Sequence, residues 1–113
     1  MTKNFAHRGY SGKYPENTML AFEKAIEIGC DGIELDVHLS RDGEIVIIHD
    51  EELDRTTDGT GLVGSYTLAE LKTFDASAGF AGVYGKNEIP TLREYFELVK
   101  DKDIITNIEL KTG

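Results

Sequence analysis

Apolar and polar residues alternate without a break from Ile33 to Leu39, with Ile33, Leu35 and Val37 on one parity and Glu34, Asp36 and His38 on the other. That period of two is the mark of a strand, whose successive side chains point to opposite faces. A second apolar run, Ile45 to Ile48, follows "SRDG", and its Asp-Gly supplies the left-handed backbone that a tight connection requires. The stretch Asp31 to Asp50 therefore reads as a hairpin. With Leu39 set opposite Glu44, counting back pairs Ile47 with Asp36 and His49 with Glu34. Cross-strand partners share a face with Cβ atoms about 4.5–5.5 Å apart, so this count returns His49 to the carboxylates.

The period changes to that of a helix elsewhere. Met19, Phe22 and Ile26 fall at helical spacing, Asn17 or Thr18 can cap the start, and Gly29 suits the position just past the end. "TLAELKTF" and "TLREYFELVK" each open with Thr and carry Glu three residues later, the reciprocal capping box of a helix start. "KNFAH", from Lys3 to His7, reads as a short strand opening into the loop "RGYSGKYPENT". "DRTTDGTGLVGSY" reads as irregular, and it lacks the Lys-Ser/Thr ending of a phosphate loop. In the closing "IITNIELKTG", Asn107, Glu109 and Lys111 share one face while Ile108 and Leu110 share the other.

Strand, helix, hairpin, helices and strand in this order predict an α/β architecture with a largely parallel sheet. Both faces of such a sheet are covered, so a charged strand face must be paired or must bind something. Two strands with inward carboxylates raise that cost unless a cation lies between them.

Composition narrows the choices. With 113 residues, 40% of them hydrophobic, the chain is globular material of at most one domain. A net charge of −9 argues against nucleic acid, whose affinity rests largely on basic side chains. No apolar window reaches the roughly 20 residues of a membrane span, the start "MTKNFAHRGY" lacks a signal-peptide core, and a cytoplasmic location is expected. A single cysteine, Cys30, excludes an intrachain disulfide and reads as a small buried residue. Carboxylates without thiolates suit a hard divalent cation, Ca²⁺ or Mg²⁺.

Taken together, "HRG" at His7, "PENT" at Pro15, "ELDV" at Glu34, "DG" at Asp42, "HD" at His49, "RTTDGTG" at Arg55 and "IELK" at Ile108 resemble the glycerophosphodiester phosphodiesterases, and the resemblance covers essentially the whole chain. It implies a (β/α)₈ TIM-type barrel with its site at the C-terminal strand ends. The 113 residues would be its N-terminal half, with a small insertion after the second strand at about 51–88. It further implies that Glu34, Asp36 and Glu109 hold the metal, that His7 and His49 act as general acid and base, and that Arg8 and Lys111 contact phosphate oxygens. The substrate would be a small glycerophosphodiester, cleaved to glycerol 3-phosphate and an alcohol. A lipid phosphodiester, as used by related phospholipases, is the neighbouring alternative, and a catalytically silent metal- or partner-binding module is the alternative of another class.

Other residues have plainer readings. His38 lies nearer the hairpin tip and is assigned to the surface or to a supporting position. Glu16 supports the site or merely caps the first helix. Tyr66, Phe74, Phe80 and Tyr84 are assigned to packing of the insertion. A full barrel takes about 250 residues. The half present should leave Ile33, Leu35, Val37, Ile108 and Leu110 half covered, so the chain is expected to be part of a longer one or to self-associate.

Overall fold

The computed structural model describes residues 4–110, so Lys111 and the expected strand start at Lys3 lie outside the described residues. Strand β1 (Phe5–His7) leads into helix α1 (Met19–Glu27), then strand β2 (Gly32–Leu39) and the short strand β3 (Ile45–Ile47). Helices α2 (Leu68–Leu71) and α3 (Leu92–Val99) follow, with 3₁₀ turns at Val63–Ser65 and Ala78–Phe80, before strand β4 (Ile105–Leu110). β1 and β4 flank β2 and run parallel to it, from Phe5 opposite Gly32 to His7 opposite Glu34 and from Gly32 opposite Ile105 to Val37 opposite Leu110. Parallel strands joined through helices are the arrangement with which a (β/α)₈ barrel begins. A Cβ on Gly32 would meet the Phe5 ring at 2.5 Å and the Ile105 carbonyl oxygen at 2.7 Å, so glycine alone fits where the three strands converge.

Helix α1 starts where its capping signal lies, but the cap is Thr18, whose hydroxyl accepts from the Ala21 amide at 3.2 Å. Gly29, at φ 82°, ends it. Both capping boxes form, Thr67 with Glu70 and Thr91 with Glu94. α2 is shorter than "TLAELKTF" because the Thr73 hydroxyl donates to the Glu70 carbonyl at 2.6 Å and closes the last turn.

The hairpin register departs from the count by one residue: Val37 faces Ile47, His38 faces Val46 and Leu39 faces Ile45. The loop holds one more residue than expected, because the Ser40 side chain accepts from the Glu44 amide at 2.9 Å and the Ser40 amide donates to the Glu44 carbonyl at 2.9 Å. A slip of one exchanges the faces of a strand. Continued regularly, β3 would have put His49 opposite Leu35. The strand instead stops at Ile47; the Ile48 amide still donates to the Asp36 carbonyl at 3.0 Å, and the chain then bends.

Two cores result. In the first, Ile33, Leu35 and Val37 pack with Phe22 and Ala25 of α1, Tyr95 and Val99 of α3, Ile47 and Cys30. Phe22 and Tyr95 meet edge to face at 5.1 Å. The expectation of half coverage is thereby corrected: the three β2 residues are buried under α1 and α3, and of the five only Leu110 is exposed, at 74%. The second core gathers Val46, Ile48, Leu53, Val63, Leu71, Ala76 and Ile89, so the segment after β3 packs around apolar residues of its own. Tyr66 and Phe74 border this core. Phe80 stacks on Tyr84, which leans at 5.0 Å on Tyr14, outside the segment. β3 divides the two cores, sending Ile47 to the first and Val46 to the second, where Ile48 just past its end joins it. Among the described residues no helix is long and apolar enough to cross a membrane.

Candidate active site

Opposite the first core, the other face of the sheet carries the polar parity. His7, Glu34 and Asn107 stand in one row across β1, β2 and β4, and Asp36 and Glu109 are partners two residues further along. With Arg8 they line a cavity of about 170 Å³ at the ends of β1 and β4. The alternation in β2 and β4, with the end of β1 beside them, thus brings five of the expected site residues, His7, Arg8, Glu34, Asp36 and Glu109, to one place. Lys111, also expected at the site, lies outside the described residues.

The loop after β1 aims Arg8. Its backbone is left-handed, at φ 54°, and its amide donates to the Glu34 carbonyl at 2.7 Å. Gly9 follows at φ 78°, and a Cβ there would lie 2.8 Å from the Ala21 backbone, so α1 can close over the turn only above a glycine. Arg8 Nη1 donates to Glu16 at 3.1 Å, and its Nε lies 3.4 Å from Asp36. That Nε is buried and makes no full hydrogen bond, so its contact with Asp36 is an ion pair at longer range. Asp36 is 4% exposed and also accepts from Asn17 Nδ2 at 3.1 Å. Its charge is therefore compensated by the protein itself, as a buried carboxylate requires. Glu109 is exposed on the open side of the sheet.

Oxygen donors of this number fit a hard divalent cation. Among the described residues, however, no three His, Cys, Asp or Glu side chains are gathered closely enough to hold one. Asp36 is turned toward Arg8 and Asn17.

His49 is brought to the neighbourhood by another route than the hairpin count. It lines a small cleft with Glu16, Asn17, Ile47 and Thr56, next to the His7 cavity and not within it. His38 Nε2 donates to the His49 carbonyl at 2.9 Å and holds the bend, which gives His38 a supporting place. The His49 ring meets Asp50 Oδ1 through Nδ1 at 2.8 Å. Arg55 Nε and Nη2 donate to the two oxygens of Asp50, at 2.8 and 3.0 Å, and its Nη1 and Nη2 donate to the two oxygens of Glu16, at 2.8 and 3.1 Å. These bonds hold the Asp50 carboxyl far below the usual carboxylate range, with the His49 hydrogen bond adding to them. Burial works to raise Glu16, but Arg55 and Arg8 prevail and its pKa is lowered. Arg55 is in turn raised by Asp50 and Glu16.

Asn17, Asp50 and Arg55 were not expected at the site, and Glu16 only as one of two readings. All four lie in "PENT", "HD" and "RTTDGTG", so the signal was present as motif. Arg55 and Glu16 are 39 residues apart, beyond any local periodicity.

The glycerophosphoryl diester phosphodiesterase family model matches residues 7–112. A glycerophosphodiester phosphodiesterase of Caldanaerobacter subterraneus subsp. tengcongensis is 55% identical over 108 residues, 96% of this chain and 44% of that protein. One from Bacillus altitudinis is 56% identical over 114 residues, 100% of this chain and 46% of that protein. Among solved structures, a glycerophosphodiester phosphodiesterase of Agrobacterium tumefaciens superposes with TM-score 0.91 at 44% identity, over 99% of this chain and 48% of that one. An Oleispira antarctica phosphodiesterase in complex with the product sn-glycerol-3-phosphate also gives TM-score 0.91 and 44% identity, over 98% of this chain and 45% of that one. The chain spans about half the length of the curated relatives it matches.

Proposed function

Because the chain belongs to the glycerophosphoryl diester phosphodiesterase family, and its architecture is the N-terminal part of a (β/α)₈ barrel, we propose that it is the metal-dependent hydrolytic portion of an enzyme that cleaves glycerophosphodiesters to glycerol 3-phosphate and an alcohol. The observation that carries the reading is the single cavity lined by His7, Arg8, Glu34, Asp36 and Glu109 at the ends of parallel strands. The small-molecule substrate is supported by the Oleispira relative and its bound product.

In this reading Glu34, Asp36 and Glu109 hold a divalent cation, Ca²⁺ or Mg²⁺. Such a cation, when bound, offsets phosphate charge and orients the diester. Arg8, which lines the cavity, contacts a phosphate oxygen, and Lys111 serves the same anion. His7 and His49 exchange protons with the attacking and leaving oxygens. Imidazole suits both roles because its charge changes near neutral pH. His49 keeps its Nδ1 proton on Asp50 and presents Nε2 as the working atom. The test is release of glycerol 3-phosphate from glycerophosphocholine with Ca²⁺ or Mg²⁺ added. Metal-stimulated release supports the reading, and none from a barrel completed with the C-terminal part of a relative refutes it.

One observation favours a second reading, in which the 113 residues alone are silent. The carboxylates are not gathered for a metal among the described residues. Release by the completed barrel, with none by the short chain, would identify this case.

A further inference from the structure

Arg55 is the most heavily bonded side chain near the site, and it does not line the His7 cavity. Its fork takes both oxygens of Asp50 on one side and both oxygens of Glu16 on the other. A guanidinium engaged in this way has both edges of its fork occupied, and it is Arg8, not Arg55, that lines the cavity. Opposite charges alternate along one chain of contacts: Asp36 to Arg8, Arg8 to Glu16, Glu16 to Arg55 and Arg55 to Asp50, with His49 at the end.

We propose that Arg55 and Glu16 are positioning residues that fix the orientation and tautomer of His49 through Asp50, and hold that ring at a set place relative to Arg8. The inference rests on the acid and base reading given above only for its catalytic meaning; the geometry stands without it. An Asp50 carboxylate free to rotate could accept from Nδ1 in many poses. With both oxygens bound by Arg55, it presents Oδ1 in one direction, and Nδ1 must carry the proton to meet it. Groups behind a working imidazole act in this way, setting which nitrogen is left free. Glu16 supplies the link to Arg8, so His49 and Arg8 are placed by a single frame. A lysine could match the charge of Arg55 but not its planar fork. Half of the Arg55 side chain surface is exposed, so its ion pairs add little to stability and their value lies in geometry.

The test is nitrogen-15 NMR of the imidazoles, of which the chain has 3. The starting protein should show the His49 proton on Nδ1. Arg55→Gln should move it toward the Nε2–H form that an unconstrained imidazole prefers, while the melting temperature stays within a few degrees. Arg55→Lys should behave like Arg55→Gln, because charge without the fork is insufficient. If Arg55→Gln does not fold, Glu16→Gln reads the same tautomer with no change in volume. An unmoved His49 in either folded variant overturns the inference. Undiminished turnover by His49→Ala in a completed barrel would instead sink the acid and base reading and leave this one in place.

Discussion

Asp36 and Glu109 are register partners on adjacent parallel strands, yet Asp36 is 4% exposed while Glu109 is open to solvent. The difference follows from position in the sheet. Asp36 lies on the central strand beneath Arg8 and Asn17, whereas Glu109 lies on β4, whose far edge is unpaired among the described residues. A fixed carboxylate and an exposed one thus face the same cavity.

Asp36→Asn should weaken Ca²⁺ or Mg²⁺ binding at least about tenfold in a calorimetric titration, since a neutral amide is a poorer ligand for a hard cation. The amide keeps nearly the same volume beside Arg8. Binding unchanged by Asp36→Asn, or by Glu109→Gln, would remove that residue from the ligand set.

In a complete barrel, His7→Ala and His49→Ala should each lower turnover about a hundredfold or more, with a smaller effect on metal affinity. Initial rates and metal titrations on the same samples make the comparison. Near wild-type turnover in either variant would assign that histidine a structural part.

Acid should loosen the fold through the Arg55 frame by a few degrees of melting temperature at most, since half of the Arg55 side chain is exposed. A carboxylate with a lowered folded pKa adds stability that is complete above its unfolded value and is lost as pH falls through the folded one. Asp50 and Glu16 are both lowered, from ordinary values of 3.8 and 4.5. The melting temperature should hold steady above about pH 5.5 and fall below pH 4.5, less steeply in Asp50→Asn. Equal slopes in the two proteins would exclude Asp50 as a source.

The 113-residue chain should self-associate. Leu39, Ile45, Leu62 and Leu110 are exposed and, with Val37 and Ile108, border an apolar groove of about 890 Å³ that reaches β4, whose far edge is unpaired among the described residues. Surfaces of this kind mark interaction sites. Light scattering after size exclusion should give a mass above the monomer at high concentration, and Leu110→Lys should lower it. A monomeric wild type throughout would refute the idea.

Much of this was legible in local pattern. Parity alone put Glu34, Asp36 and Glu109 on one face, and the capping boxes put Thr67 and Thr91 at helix starts. What failed was a count across a turn. Ser40 and Glu44 form a wider loop than Asp-Gly suggested, and that single residue reverses which face of β3 meets which core. His49 still comes near the site because the strand ends early and Arg55 holds Asp50 from another segment. A hydrogen bond across 39 residues leaves no trace in periodicity.

The division of the interior by β3 has a thermal consequence. Arg8, Glu16 and Asp36 ride on elements of the first core, whereas Asp50 and Arg55 ride on loops around the second, whose only α-helix is the four-residue α2. Chain held mainly by loops opens at a lower free-energy cost than packed strands and long helices. Warming would therefore part His49 from Arg8 while β1, β2 and β4 remain paired. The upper temperature at which His49 and Arg8 stay in place should then be set by the segment around the second core, below the temperature at which the sheet itself melts.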